Sequence, residues 1–125
     1  MANILIVDDA IDAAEALARF LEKNGHSVHV VPDGKDALLA VLGEKTDFVI
    51  LDLLMPEMDG PSFLEVTRSY LRLQTLPVVV LTALSSGPLL DRARNAKVNA
   101  ILIKSQATYD EILSTVNSSL NDTAT

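Results

Sequence analysis

Ile4-Leu5-Ile6-Val7 runs directly into the acidic pair Asp8-Asp9, and the same pattern, an apolar stretch closed by a polar residue, recurs along the chain. Phe48-Val49-Ile50-Leu51 ends in Asp52, Val78-Val79-Val80-Leu81 in Thr82, and Ile101-Leu102-Ile103 in Lys104. Short Ile- and Val-rich runs without polar alternation are what strands show when both of their faces are covered, as in parallel sheets. A weaker run, Ser27 to Val31, includes His29 and reads as a strand nearer an edge.

Segments of helical period fill the gaps. Ala13, Leu17, Phe20 and Leu21 form one stripe, closed by Asn24-Gly25, where Gly suits a left-handed cap. Asp33 is placed to cap a second helix with Leu38, Val41 and Leu42 on its inner face. Pro61, after Gly60, is a first-turn proline that opens a third helix with Phe63, Val66 and Tyr70 in register. Ser85 or Ser86 is expected to cap a fourth, on which Leu89, Ala93 and Ala96 share a face. The last opens on a capping box, Thr108 and Glu111, and continues through Ile112, Leu113, Val116 and Leu120. Strand and helix alternate five times. That predicts an α/β fold: a doubly wound, five-stranded parallel sheet with helices on both faces.

The 125 residues suffice for one core and one domain, expected over 1–121 with a polar tail at 122–125. Hydrophobic residues make up 49% and charged residues 22%, which excludes disordered and low-complexity classes. Ten Lys and Arg against 17 Asp and Glu give a net charge of −7, arguing against direct contact with nucleic acid or an anionic membrane. The absence of cysteine excludes disulfides, thiolate metal sites and Cys nucleophiles. Asp52, Pro56, Pro77 and Thr82 interrupt the oiliest regions before they reach membrane-spanning length. The Met-Ala-Asn-Ile start lacks a basic signal-peptide region, so a cytoplasmic location is expected. The Asn117 and Asn121 triplets would matter only in a secreted protein.

In open α/β sheets the ligand site lies beyond the carboxyl ends of the strands. Asp8, Asp9, Asp52, Thr82 and Lys104 all fall there. Taken singly, each has a plain structural reading: a helix cap for Asp8-Asp9, a turn-initiating Asp52, a strand Thr82 and a solvated Lys104. Their occurrence at equivalent strand ends favours a shared site. Three clustered carboxylates repel one another and suit a hard, oxygen-seeking cation, for which Mg²⁺ is the natural occupant. A carboxylate beside Mg²⁺ and an ammonium, with a hydroxyl in reach, is arranged to accept a phosphoryl group.

These residues together resemble the receiver domain of bacterial two-component response regulators, of the chemotaxis-regulator type, over essentially the whole chain. The stretch Leu51-Asp52-Leu53-Leu54-Met55-Pro56-Glu57-Met58-Asp59-Gly60 is its most specific element. The resemblance implies a flavodoxin-like fold with Asp52 as phosphoacceptor. It implies Asp9 as a direct Mg²⁺ ligand, Asp8 as a water-mediated member of the acidic pocket and the Leu54 carbonyl as a further ligand. Thr82 would hydrogen-bond the phosphoryl group and Lys104 would ion-pair with it. Expected partners are a sensor histidine kinase or histidine phosphotransfer protein and an unidentified downstream protein. The chain would be no enzyme beyond its own phosphoryl transfer and dephosphorylation. No output domain is expected within it, so it is expected either to work alone or to have been cut from something longer.

Three positions depart from the pattern that the resemblance implies. Ile101 stands where an aromatic switch residue is usual, Ser105 where a proline follows the lysine, and Lys97 where a glycine closes the fourth helix. A cis bond before a non-proline residue costs about 3 kcal/mol, so Lys104-Ser105 is expected to be trans. The departures leave the chemistry intact and bear on how the signal is read, which keeps a second function open: a receiver-fold interaction module independent of phosphorylation. Leu54 and Leu84 would flank the attacking water in the phosphorylated state. His26 and His29 have no clustered partners and read as packed or solvated rather than as a metal pair.

Overall fold

A computed structural model describes residues 2–43 and 45–124. The chain forms β1 (Asn3–Val7), α1 (Ile11–Lys23), β2 (Ser27–Val31), α2 (Gly34–Gly43), β3 (Phe48–Leu51), α3 (Gly60–Arg68), a 3-10 turn (Leu71–Leu73), β4 (Val78–Thr82), α4 (Pro88–Asn95), β5 (Ala100–Ile103) and α5 (Tyr109–Ala124). The strands make one parallel sheet in the order β2-β1-β3-β4-β5. The doubly wound expectation holds, and Ser27–Val31 is an edge strand.

Alternate residues of each strand serve opposite layers, which explains the unbroken apolar runs. Leu5, Val7, Val49, Leu51, Val78 and Val80 pack with Val41 of α2, Phe63 and Leu64 of α3, and Leu90 and Ala93 of α4. Ile4, Ile6, Phe48, Ile50, Val79 and Leu81 pack with Leu17 and Leu21 of α1 and with Ile112 and Val116 of α5. The central strands are therefore packed on both faces beneath the site, and their hydrogen-bonded register sets where their carboxyl ends lie.

Several helix boundaries follow the local signals. Asp33 Oδ1 accepts the Asp36 amide at 2.8 Å, Gly25 takes φ +95° after α1, and Thr108 and Glu111 form the reciprocal box. Others differ. The fourth helix is capped by neither Ser85 nor Ser86: it starts at Pro88 after Gly87 with φ +116° and no side-chain cap. Proline pre-sets the first helical φ and needs no amide partner, so it overrides the serines upstream. Its inner face is Leu90 and Ala93, with Leu89 only half-buried. Tyr70 falls outside α3, whose buried side chains are Pro61, Phe63, Leu64 and Thr67. In α1, Ala14 rather than Ala13 is buried. The fifth helix continues past Asn121 to Ala124, so most of the stretch read as a polar tail is helical backbone, while Thr125 lies outside the described residues. Lys97 takes φ +61°, the left-handed conformation a glycine would adopt without penalty; for a side-chain-bearing residue it costs roughly 1–2 kcal/mol. Among the described residues no peptide bond is cis, so Lys104-Ser105 is trans.

Candidate acidic site

The site sits where β1, β3 and β5 end. Asp8 and Asp52 follow adjacent strands in parallel register, and the ladder continues one step further, the Asp52 amide donating to the Val7 carbonyl at 2.9 Å. One carboxylate oxygen from each of Asp8, Asp9 and Asp52 lies within 4.8 Å of the others. Asp9 is exposed, whereas Asp8 and Asp52 are buried. Lys104, one residue past β5, sends Nζ to within 2.7 Å of Asp8 Oδ2 and 3.4 Å of Asp52 Oδ2. The other oxygens accept backbone amides: Asp8 Oδ1 from Ala10 at 2.9 Å and Asp52 Oδ1 from Leu53 at 2.8 Å.

The electrostatics are set by burial. Desolvation pushes the Asp52 carboxyl above its ordinary value and the Asp8 charge adds to this, while Lys104 and the Leu53 amide offset it only in part. Burial alone would lower the Lys104 ammonium, but its hydrogen bond to Asp8 and the Asp52 and Asp8 charges outweigh that and raise it. Three carboxylates against one ammonium leave an excess of negative charge, and the oxygen donor set fits a hard divalent cation such as Mg²⁺. A cavity of about 200 Å³ opens beside Asp8, Asp52 and Lys104, walled by Ala13, Ala14 and Ala107.

The structure thus brings four of the expected site residues together. Thr82 stands at the end of β4, fully buried, and its hydroxyl accepts the Leu84 amide of its own loop at 3.2 Å. Its carbonyl accepts the Lys104 amide at 2.7 Å, tying the two strand ends together. Leu54 is half exposed, and Leu84 is partly buried against the core. Ile101 also packs partly buried against that core. His26 lies between the Ala2 amide, which donates to its Nδ1, and Asn117, with which it shares a hydrogen bond.

Sequence reasoning missed a second charged cluster. Asp59 caps α3 by accepting the Ser62 amide at 2.8 Å, and Arg92 of α4 reaches Glu65 at 2.7 Å and Asp59 at 3.8 Å. Asp59, three residues before Ser62, carried a legible N-cap signal; its ion pair, 33 residues distant in sequence, did not.

An acidic pocket at the carboxyl ends of a five-stranded doubly wound sheet, with a lysine across it, defines the receiver class. The model of the response regulator receiver domain matches residues 4–117, and the chain belongs to that family. Response regulator MprA of Mycolicibacterium vanbaalenii is 43% identical over 85 residues, covering 67% of this chain and 36% of that protein. The same regulator of Mycobacterium avium is 42% identical over 85 residues with the same coverage. The chain therefore spans 36% of the length of these relatives. Among solved structures, the signal receiver domain of a signal transduction histidine kinase from Syntrophus aciditrophicus superposes with a TM-score of 0.89 at 30% identity, covering 98% of this chain and 92% of that one. Chemotaxis protein CheY4 of Vibrio cholerae does so with a TM-score of 0.85 at 26% identity, covering 94% and 98%.

Proposed function

We propose that this receiver domain is switched by phosphorylation of Asp52, with Mg²⁺ held by the carboxylates of Asp8, Asp9 and Asp52 and by the Leu54 carbonyl. The observation that carries the reading is the convergence of three carboxylates within 4.8 Å, with Lys104 beside the acceptor. A histidine kinase or histidine phosphotransfer protein is the proposed donor. An Asp52 carboxylate oxygen forms the bond to phosphorus as the donor's P–N bond breaks, and the imidazole departs with that electron pair and takes up a proton. When bound, the metal neutralises charge on the transferring oxygens. Lys104, once released from Asp8, serves as counter-ion to the new phosphoryl group, and the Thr82 hydroxyl exchanges the Leu84 amide for a phosphoryl oxygen. The product is an acyl phosphate that water hydrolyses, so the chain acts as acceptor rather than as an enzyme on free substrates.

The signal is proposed to leave through protein contacts in the cytoplasm, the charge of −7 favouring a protein surface over nucleic acid. A second reading, an interaction module that needs no phosphorylation, draws on Ile101: a β-branched side chain packed against the core has no ring or hydroxyl to swing when Thr82 is recruited. Intact mass after incubation with acetyl phosphate and Mg²⁺ separates the two. One added phosphoryl group, lost with a chelator and in Asp52→Asn, supports the first. No addition, together with amide spectra unmoved by BeF₃⁻ and Mg²⁺, supports the second.

A further inference from the structure

The junction between β2 and α2 carries none of the site's chemistry, yet it touches both acid-bearing loops. On one side the Val31 carbonyl accepts the Asp8 amide at 3.0 Å; on the other the Gly34 amide donates to the Met58 carbonyl at 3.2 Å. Met58 lies in the loop that leaves Asp52 and returns to α3, where the Gly60 amide donates to the Leu53 carbonyl at 3.1 Å. That loop is gripped at two glycines. A Cβ on Gly60 would sit 2.7 Å from the Asp52 carbonyl oxygen and 2.8 Å from Leu53 Cα. A Cβ on Gly34 would sit 2.5 Å from the Met58 carbonyl oxygen and 3.0 Å from Met58 Cβ and Cγ. Neither glycine has a left-handed φ, so what each supplies is close approach of backbone to backbone, not conformational freedom. A long side chain could swing aside, but a carbonyl moves only with its peptide. A methyl group at Gly34 therefore forces the Met58 peptide or the start of α2 to shift, and the same junction is tied to the Asp8 loop through Val31.

We propose that Gly34 is a positioning residue for the acidic site: the Val31–Gly34 junction is a spacer that sets the separation of the Asp8-Asp9 arm from the arm carrying Asp52 and Leu54. The proposal rests on the reading of these groups as an Mg²⁺-dependent phosphoacceptor site. It is tested by Mg²⁺ titration of Gly34→Ala, Gly34→Ala/Met58→Ala and Gly43→Ala, with melting temperatures measured alongside. Gly43 has open space around it and serves as the control. Gly34→Ala should weaken Mg²⁺ binding about tenfold or more, as loss of a supporting contact around a metal site does. The Met58→Ala addition should not restore it, because the nearest atom is backbone, and Gly43→Ala should bind as wild type does. A Gly34→Ala protein that melts earlier but binds Mg²⁺ unchanged would overturn the proposal, as would restoration by Met58→Ala. Should Gly34→Ala fail to fold, the wild-type amide spectrum decides. On adding Mg²⁺ the Gly34 and Gly60 amides should shift while Gly25 and Gly43 stay; a static Gly34 beside a moving Gly60 overturns the spacer and leaves the site. No Mg²⁺ binding at all overturns the underlying reading.

Discussion

Two clusters of carboxylates and cations, whose nearest members Asp52 and Asp59 are seven positions apart in sequence, behave in opposite ways. Asp52 shares Lys104 with Asp8, has two oxygens facing partners, and still has its carboxyl pushed above the ordinary range, because burial is the largest influence on it. Asp59 feels desolvation too, but the Ser62 hydrogen bonds and the Arg92 guanidinium outweigh it and hold its carboxyl below that range. Glu65, an exposed residue, is lowered first of all by its hydrogen bond from Arg92. The chemistry is the same and the access of water differs. An excess of carboxylate with two of its three members buried is unfavourable until a cation or a covalent change relieves it, whereas the more exposed cluster is already paired. The first is the site proposed to take a cation; the second joins α3 to α4.

The largest expected effect is on the unrelieved cluster. Mg²⁺ at a hundredfold excess over its dissociation constant should stabilise the fold by about 2.7 kcal/mol, read as a rise in Tm that Asp52→Asn largely removes. A Tm indifferent to Mg²⁺ would erase the contrast between the clusters. Next is the lifetime of the acyl phosphate. Leu54 and Leu84 place apolar bulk at positions that would border the attacking water, so Leu54→Asn and Leu84→Glu should speed hydrolysis about tenfold, roughly 1.4 kcal/mol of barrier. Unchanged decay of the phosphorylated form would remove these side chains from control of water.

In the metal-free protein Asp52→Asn should itself stabilise, by on the order of 1 kcal/mol, since it deletes a poorly solvated charge. The pH dependence follows from the direction of the shift. The folded protein holds the Asp52 proton to higher pH than the unfolded chain does, so wild-type stability falls as pH rises between the two values. The advantage of Asp52→Asn is therefore full at neutral pH and disappears below the ordinary carboxylate range. Asp59 has the opposite sign: its contribution is present above the unfolded value and is lost as pH falls through the lowered folded one. Melting curves of Asp52→Asn and Asp59→Asn from pH 3 to 8, about the span of these titrations, should thus diverge in opposite directions. The smallest effect belongs to Arg92→Ala. An exposed pair of this kind should lower Tm by no more than about 2 °C, and by less still in high salt.

Much of this is legible in the amino-acid sequence. The runs ending at Asp8, Asp52 and Lys104 announce parallel strands, and parallel strands in a doubly wound sheet must present their ends on one rim, so residues 96 positions apart in sequence could be expected to meet. What stayed hidden was orientation. Nothing in Lys104 says that its ammonium turns to Asp8 more closely than to Asp52, nor in Thr82 that its hydroxyl engages Leu84. Gly34 and Gly60 were invisible as site residues because their contribution is the absence of a side chain, which becomes meaningful only once the opposing backbone is placed. Arg92 shows no helical or strand spacing relation to Glu65, 27 residues earlier. At the start of α4 two serines mimic a cap, while Pro88 decides the first turn.

The central claim, that Asp52 is the group this buried cluster is built to modify, is tested most directly by trapping the modified side chain. After incubation with acetyl phosphate and Mg²⁺, borohydride reduction converts an aspartyl phosphate to homoserine, and peptide mapping locates it. The account predicts homoserine at position 52 alone, dependent on Mg²⁺. Unreduced Asp52, or homoserine at Asp8 or Asp9 instead, would contradict it.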